Sequence, residues 1–382
     1  MKNKLIVATL CISVLFAGCQ TADNKTAETE PEPEIVQQTS QTFDASEIDT
    51  IGISMPASQL ERWSNDAALL QSQFESAGYN VLVSYGNNLI DTQINDINQM
   101  IDLGADLLII APVDSDSLLP CIEAANAKNI PIVAYDRLIY HDPQLLAYVS
   151  YDNYAVGEMQ AQYIVDALDL DNPKNTNSYN IEMFAGDSAD NNAICFFNAA
   201  YGVLSPYIEA GKINIVSNQT SFYACSIPSW DTALAKEKME ILLASYYSEI
   251  HQLDAVLCAN DSIAIGVCDA IETSYDKDND IIITGQDGDK LNLSYIQDGK
   301  QSMSIYKNLS NEALATFYIV ESFLNGVSTG EDLSSGNDFD FDIIRDTSTY
   351  VTDNVAINSY LLTPEIITKD NLDKYIEKTV TK

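Results

Sequence analysis

The sequence predicts an α/β protein built from two similar lobes, each a parallel sheet flanked by helices. Three observations carry this. Short apolar runs alternate with stretches whose large apolar residues recur three and four positions apart. The runs are of the kind buried on both faces, as in "PIVAYD". And the alternation comes in two tandem series, which implies two lobes rather than one long sheet.

The first series opens with the strand "TIGISMP", followed by Leu60, Trp63, Ala67, Leu70, Phe74 and Ala77 on one helical face. "NVLVSYG" then precedes Ile90, Ile94, Ile97 and Ile101, again helical, and "DLLIIAPV" and "PIVAYD" are the next strands. The second series begins after "AYVSYDN". It runs through a helix over 155–168, "NIEMFAGD", a helix over 192–210, "INIVSNQ", a helix over 232–245, "AVLCAN", a short helix and "IIITGQD". "QSMSIYK" and a helix over 311–324 come late. The tail to Lys382 lacks a βα set of its own, so the chain is expected to cross between lobes more than once.

With 382 residues, 46% of them apolar, the chain is too long for one small core and suits two domains plus extensions. Its net charge of −37 repels nucleic acid and anionic surfaces, which argues against a DNA-binding regulator. Lys2 and Lys4, an apolar run from Leu5 to Phe16 and "FAGC" read as an export signal, residues 1–18. The run is too short for an ordinary spanning helix. Its ending resembles a bacterial lipobox, which makes Cys19 the lipidated first residue of the mature chain; cleavage without lipid is the alternative. Residues 19–47 are rich in Thr, Glu, Pro and Gln and read as an acidic tether. Five later cysteines (Cys121, Cys195, Cys225, Cys258, Cys268) show no zinc spacing and read as buried small hydrophobes, although export permits a bridge.

In open parallel sheets, ligands bind beyond the carboxyl ends of the strands. The chain has only three arginines and two tryptophans. Arg62, Trp63 and Arg137 fall at such strand ends, and Trp230 follows "INIVSNQ". Core packing is the alternative for Trp63, which also fits the helical stripe. Arg62, Arg137 and Lys307 set three positive charges against Asp136, Asp190 and Asp287, with amides from Asn192 and Asn260. Balanced charges rimmed by aromatic rings suit a neutral polyhydroxyl ligand. Each hydroxyl can donate to a carboxylate and accept from a cation, in bonds of about 1.5–3 kcal/mol.

At these residues the sequence resembles the periplasmic sugar-binding proteins of ABC transporters, in particular the D-xylose-binding and multiple-sugar-binding proteins. "ERW", "IPIVAYDRLI", "YDNYAVGEMQA", "GDSADNNA", "NDSIAIG", "GQDGD", "YKNLSNEA" and "LLTPEIITKDNL" look like that family's segments in the same order. The resemblance implies a type I fold of two Rossmann-like lobes joined by three hinge crossings, with a monosaccharide clamped between them and the closed form recognised by a permease. Carried over by motif, the contacts are Arg62, Trp63, Asp136, Arg137, Asp190, Asn192, Asn260, Asp287 and Lys307; Trp230 fits only approximately, because "TSFYACSIPSWD" departs from the family. The expected lobes are 48–153 plus about 308–332, and 154–307 plus about 333–376. The sugar is xylose or a similar aldose such as glucose, galactose or arabinose. The protein is expected to be a monomer without cofactor, held at the outer face of the membrane or free in a periplasm.

An exported glycosidase is the enzyme alternative, but the cations beside the Asp residues keep them ionised and poor as acids. A protein presenting sugar to a chemoreceptor or sensor kinase is the third reading. "DKDND" has calcium-loop spacing, yet Ile281 stands where the sharp turn needs Gly, so it reads as a solvated acidic turn. His141 and His251 carry no assigned role. The lipobox reading predicts that the full chain, expressed in a bacterium, incorporates an alkyne-labelled fatty acid and partitions into detergent, and that Cys19→Ser does neither. Equal labelling of the two chains would remove the anchor.

Overall fold

The computed structural model describes residues 35–38, 48–247 and 250–380; the signal segment, Cys19 and most of the tether lie outside them. The first lobe opens with β1 (Val36–Gln37), β2 (Thr50–Met55), α1 (Glu61–Ala77), β3 (Asn80–Tyr85), α2 (Ile90–Asp102), β4 (Leu107–Ile110), α3 (Leu119–Ala127), β5 (Ile132–Tyr135) and β6 (Ala147–Tyr151). The second comprises α4 (Asn153–Ala167), β7 (Tyr179–Phe184), α5 (Asn191–Glu209), β8 (Ile213–Asn214), α6 (Phe222–Cys225), α7 (Thr232–Tyr246), β9 (Ala255–Cys258), α8 (Asp261–Ser274), β10 (Ile282–Ile283), β11 (Gln286–Asp287), α9 (Lys290–Asp298) and β12 (Met303–Tyr306). The chain then returns to the first lobe with α10 (Leu309–Leu324), β13 (Ile343–Asp346), β14 (Val351–Thr352), β15 (Val355–Ala356) and β16 (Ser359–Leu362), and ends in the second with β17 (Glu365–Thr368) and α11 (Asp373–Val380).

The first sheet has the order β13-β16-β6-β5-β4-β2-β3, parallel except for the edge strand β13. Its strands read as continuous apolar runs because each feeds two cores. Leu107 and Ile109 face a core shared with α1 and α10, while Leu108 and Ile110 face one shared with α2 and α3. The second lobe has a parallel sheet, β10-β9-β7-β8, and a smaller sheet, β11-β12-β17, in which β17 is antiparallel. Side-chain caps start the helices at the strand ends: Asp152 for α4, Asp190 for α5, Asp231 for α7, Asn260 for α8 and Asn308 for α10. All five later cysteines are buried free thiols.

The chain passes between lobes after β6, after β12 and after β16, so the expected three crossings are present. They are tied together: the Tyr151 hydroxyl donates to Asn308 O at 3.1 Å, and Asp152 N donates to Leu362 O at 2.9 Å. The expected boundary at 333 is wrong. β13 and β16 extend the first sheet, β16 pairing parallel with β6, and only the chain beyond Leu362 belongs to the second lobe. Local apolar pattern cannot say which sheet edge a late strand joins. "INIVSNQ" is likewise shorter than expected, with only Ile213 and Asn214 paired.

Close packing of α4 on α5 depends on Gly157, where a Cβ would lie 2.2 Å from the Phe196 carbonyl oxygen. Gly157→Ala is therefore expected to destabilise the protein by about 1–3 kcal/mol, lowering the calorimetric melting temperature. An unchanged transition would contradict this packing.

Candidate functional site

A cavity of about 190 Å³ lies beyond the carboxyl ends of the strands of both lobes. All ten residues expected at the site line it, together with Glu61, Phe196, Gln286 and Asp289 among others. Its size is below the ~300–1,000 Å³ of pockets for drug-sized ligands, so a small guest fits it.

Arg62 stands in the first turn of α1, where β2 delivers it to the cleft. Its guanidinium meets four carboxylates: Asp66 at 3.3 Å, Glu312 at 3.2 Å, Asp287 at 3.2 Å and Asp136 in a shorter contact. Asp66, Asp136 and Glu312 belong to its own lobe and Asp287 to the other. Lys307, at the second crossing, lies 3.5 Å from Asp136 and 3.4 Å from Asp287. The ion pairs therefore span the cleft.

Asp136 has φ 56°, in the left-handed region. Its carbonyl explains how this is held, accepting from Tyr148 at 2.9 Å, Ser150 at 2.8 Å and Asn192 Nδ2 at 2.8 Å. Asp287, at φ 103°, is braced beneath by buried Asp261, which accepts from Gly288 N at 3.0 Å, Asp289 N at 2.9 Å, Gln301 Nε2 at 2.9 Å and Ser304 Oγ at 2.9 Å. Such backbone outliers cluster at ligand clamps.

Asn192 lines the cavity, but its amide is committed to the protein: Oδ1 accepts from Asn153 Nδ2, and Nδ2 donates to Asp136 O. It joins the lobes. Asp190 caps α5 and faces Arg137 Nε at 2.8 Å, an ionic contact without hydrogen-bond alignment. Asn260 caps α8 and reaches Asp287 Oδ2 at 3.4 Å. Trp63 lies where core and cavity meet. It is buried in the first-lobe core and also lines the cavity, with Arg62 Cζ 4.8 Å and Arg137 Cζ 5.1 Å from its ring centroid. Trp230 packs edge-on against Phe196 at 6.3 Å.

The expected balance of three cations and three carboxylates is incomplete, because Asp66, Asp289 and Glu312 add to the acidic side. Asp66 was detectable four residues after Arg62 on the same helix face, and Phe196 four after Asn192. Glu312 had no local signal. Burial, then Asp136, pushes the Glu312 carboxyl well above the usual range against the pull of Arg62. Burial raises Asp66 to about 6 and, with Asp287, Asp289 to about 7. Burial would also raise Asp136, yet Arg62, Lys307 and Arg137 outweigh it and hold the group at about 2. The added carboxyls are thus weaker acids than Asp136.

Residues 51–328 match the periplasmic binding protein domain. The chain is 33% identical over 335 residues to a multiple sugar-binding periplasmic receptor of Rhizobium radiobacter, covering 87% of this chain and 90% of that one. It is 29% identical over 378 residues to the D-xylose-binding periplasmic protein of Escherichia coli, covering 99% and 97%. An ABC transporter solute-binding protein from Clostridium phytofermentans, solved with bound β-D-glucose, matches with a TM-score of 0.79 at 36% identity, covering 86% and 96%.

The low value at Asp136 fixes a pH dependence. The folded chain keeps this carboxylate ionised down to about pH 2, whereas an unfolded Asp protonates near ~3.9. Between those values the unfolded chain binds more protons, so this contribution to stability is lost as pH falls. Urea midpoints across that window should fall with acid, and Asp136→Asn should flatten the slope. Parallel slopes for the two chains would refute the assignment.

Proposed function

The chain belongs to the periplasmic binding protein family, and from that premise we propose that it captures a monosaccharide between its lobes and delivers it to an ABC transporter permease. The observation that carries this reading is the cross-cleft ring of Arg62, Asp136, Asp287 and Lys307. Opposite charges alternate around it, so a neutral hydroxyl inserted there can both donate and accept. Phe196 and Trp230 supply apolar area for the C–H face of a sugar ring. Xylose or a similar aldose such as glucose, galactose or arabinose fits this chemistry; xylose and glucose are the sugars of the relatives described above.

The mechanism is a hinge motion. The open lobes receive the sugar, closure removes it from water, and the ligand favours the closed form by its contacts with both lobes at once. Hydrolysis is disfavoured, because the family to which the chain belongs consists of binding proteins. Export and a lipid on Cys19 place the monomeric chain at the outer face of the membrane, with the acidic tether as spacer. The Rhizobium relative is a multiple sugar-binding receptor, which supports a second role, presentation of the closed form to a sensor.

Calorimetric titration with xylose, glucose, galactose and arabinose should give binding of at least one. Small-angle scattering should show compaction with that sugar. Asp287→Ala should weaken affinity about 10- to 100-fold, the size of one lost charge-assisted bond. Absence of binding by all four sugars, or binding without compaction, would overturn the proposal.

A further inference from the structure

A second chamber of about 150 Å³ adjoins the first cavity. Leu60, Arg137 and Trp230 line both spaces. The rest of the chamber wall is drawn from both lobes, with Asn88, Ile90, Val113 and Asp114 on one side and Asp187, Ala189 and Ser229 on the other. Carboxylates, a guanidinium and an amide thus recur in the mixture found in the first cavity.

Both lips of this chamber are turns in the left-handed region. Asn87 and Asn88 have φ 54° and 59°, and Ser229 and Trp230 have φ 54° and 56°. Asn tolerates this conformation, but for a bulky aromatic residue it is an outlier that persists only where the surroundings impose it. Asp187 imposes it here, its carboxylate accepting from Ser229 N and from Ala189 N. Gly186 leaves room for the ring, since a Cβ there would lie 2.0 Å from Trp230.

We propose that the cleft accommodates two linked sugar units, so that its ligands include a neutral disaccharide with one ring in each chamber and the glycosidic link at the wall formed by Arg137 and Trp230. This rests on the sugar-binding reading above and extends it to a larger substrate class. Two chambers of similar volume, sharing a fixed aromatic wall and lined by groups of both signs, are what such a ligand requires. A substituent on a single ring would use the same space.

The test is calorimetry on the full chain with two matched pairs, xylose with xylobiose and glucose with cellobiose. At least one disaccharide should bind with affinity within roughly tenfold of its monosaccharide or tighter. Ala189→Leu, which fills only the second chamber, should weaken that disaccharide by at least about tenfold and leave the monosaccharide within about twofold. Ile90→Trp repeats the measurement from the opposite lobe if Ala189→Leu does not fold. Monosaccharide binding with neither disaccharide bound would overturn the inference and leave the sugar-binding reading intact. So would disaccharide binding that the filling variants leave unchanged, or variants that weaken both sizes alike. If no sugar of either size binds, the underlying reading itself fails.

Discussion

Arg62 is enclosed by carboxylates from α1, from the end of β5, from β11 and from α10, and its side chain is only 10% exposed. A buried cation of this kind is stable only while its partners stay in place, since stranding one member of such a pair costs about 3–5 kcal/mol. That requirement fixes the entry angle of α1, the left-handed turn at Asp136 and the position of α10 behind the cleft. It also couples the lobes, because one of the four partners, Asp287, belongs to the other lobe. In the open form Asp287 would be rehydrated while Arg62 keeps its three partners on the first lobe. The Arg62–Asp287 pair thus works together with the other contacts across the cleft, Arg137 with Asp190 and Asn192 with the Asp136 carbonyl.

The acidity of the chain bears on what can enter. At −37 overall, the protein repels phosphorylated and carboxylated solutes before they reach the cleft. Inside it, Asp136, Asp190, Asp287 and Asp289 face the cavity alongside three cations. An anion would displace the carboxylates from their cations, while a neutral polyol inserts between them. On the proposed function, selection against charge is built into the same ring that would receive the hydroxyls.

The lobes were legible because the strands of the first sheet are buried on both faces and each is followed by a helix with one apolar stripe, so periodicity alone separates them. The site was legible for a different reason: strand ends collect the scarce Arg and Trp residues. What stayed hidden depends on contacts between distant segments. Glu312 sits in the first turn of a helix 250 positions from the arginine it supports, and nothing in its neighbourhood marks it. β13 and β16 lie in the tail that lacks a βα set of its own, and the edge they join is set by β6, some two hundred residues earlier. Asn192, expected as a ligand contact, lines the cavity and is in addition part of the joint through its bonds to Asn153 and Asp136 O.

The bonds from Tyr151 to Asn308 O and from Asp152 N to Leu362 O bundle the three interlobe passages into one pin. Independent strands could twist or shear separately and settle into a different outline for each guest. A bundled pin leaves a single swing. Guests with different hydroxyl patterns then yield the same shut silhouette or none, and a membrane partner can read occupancy without reading identity.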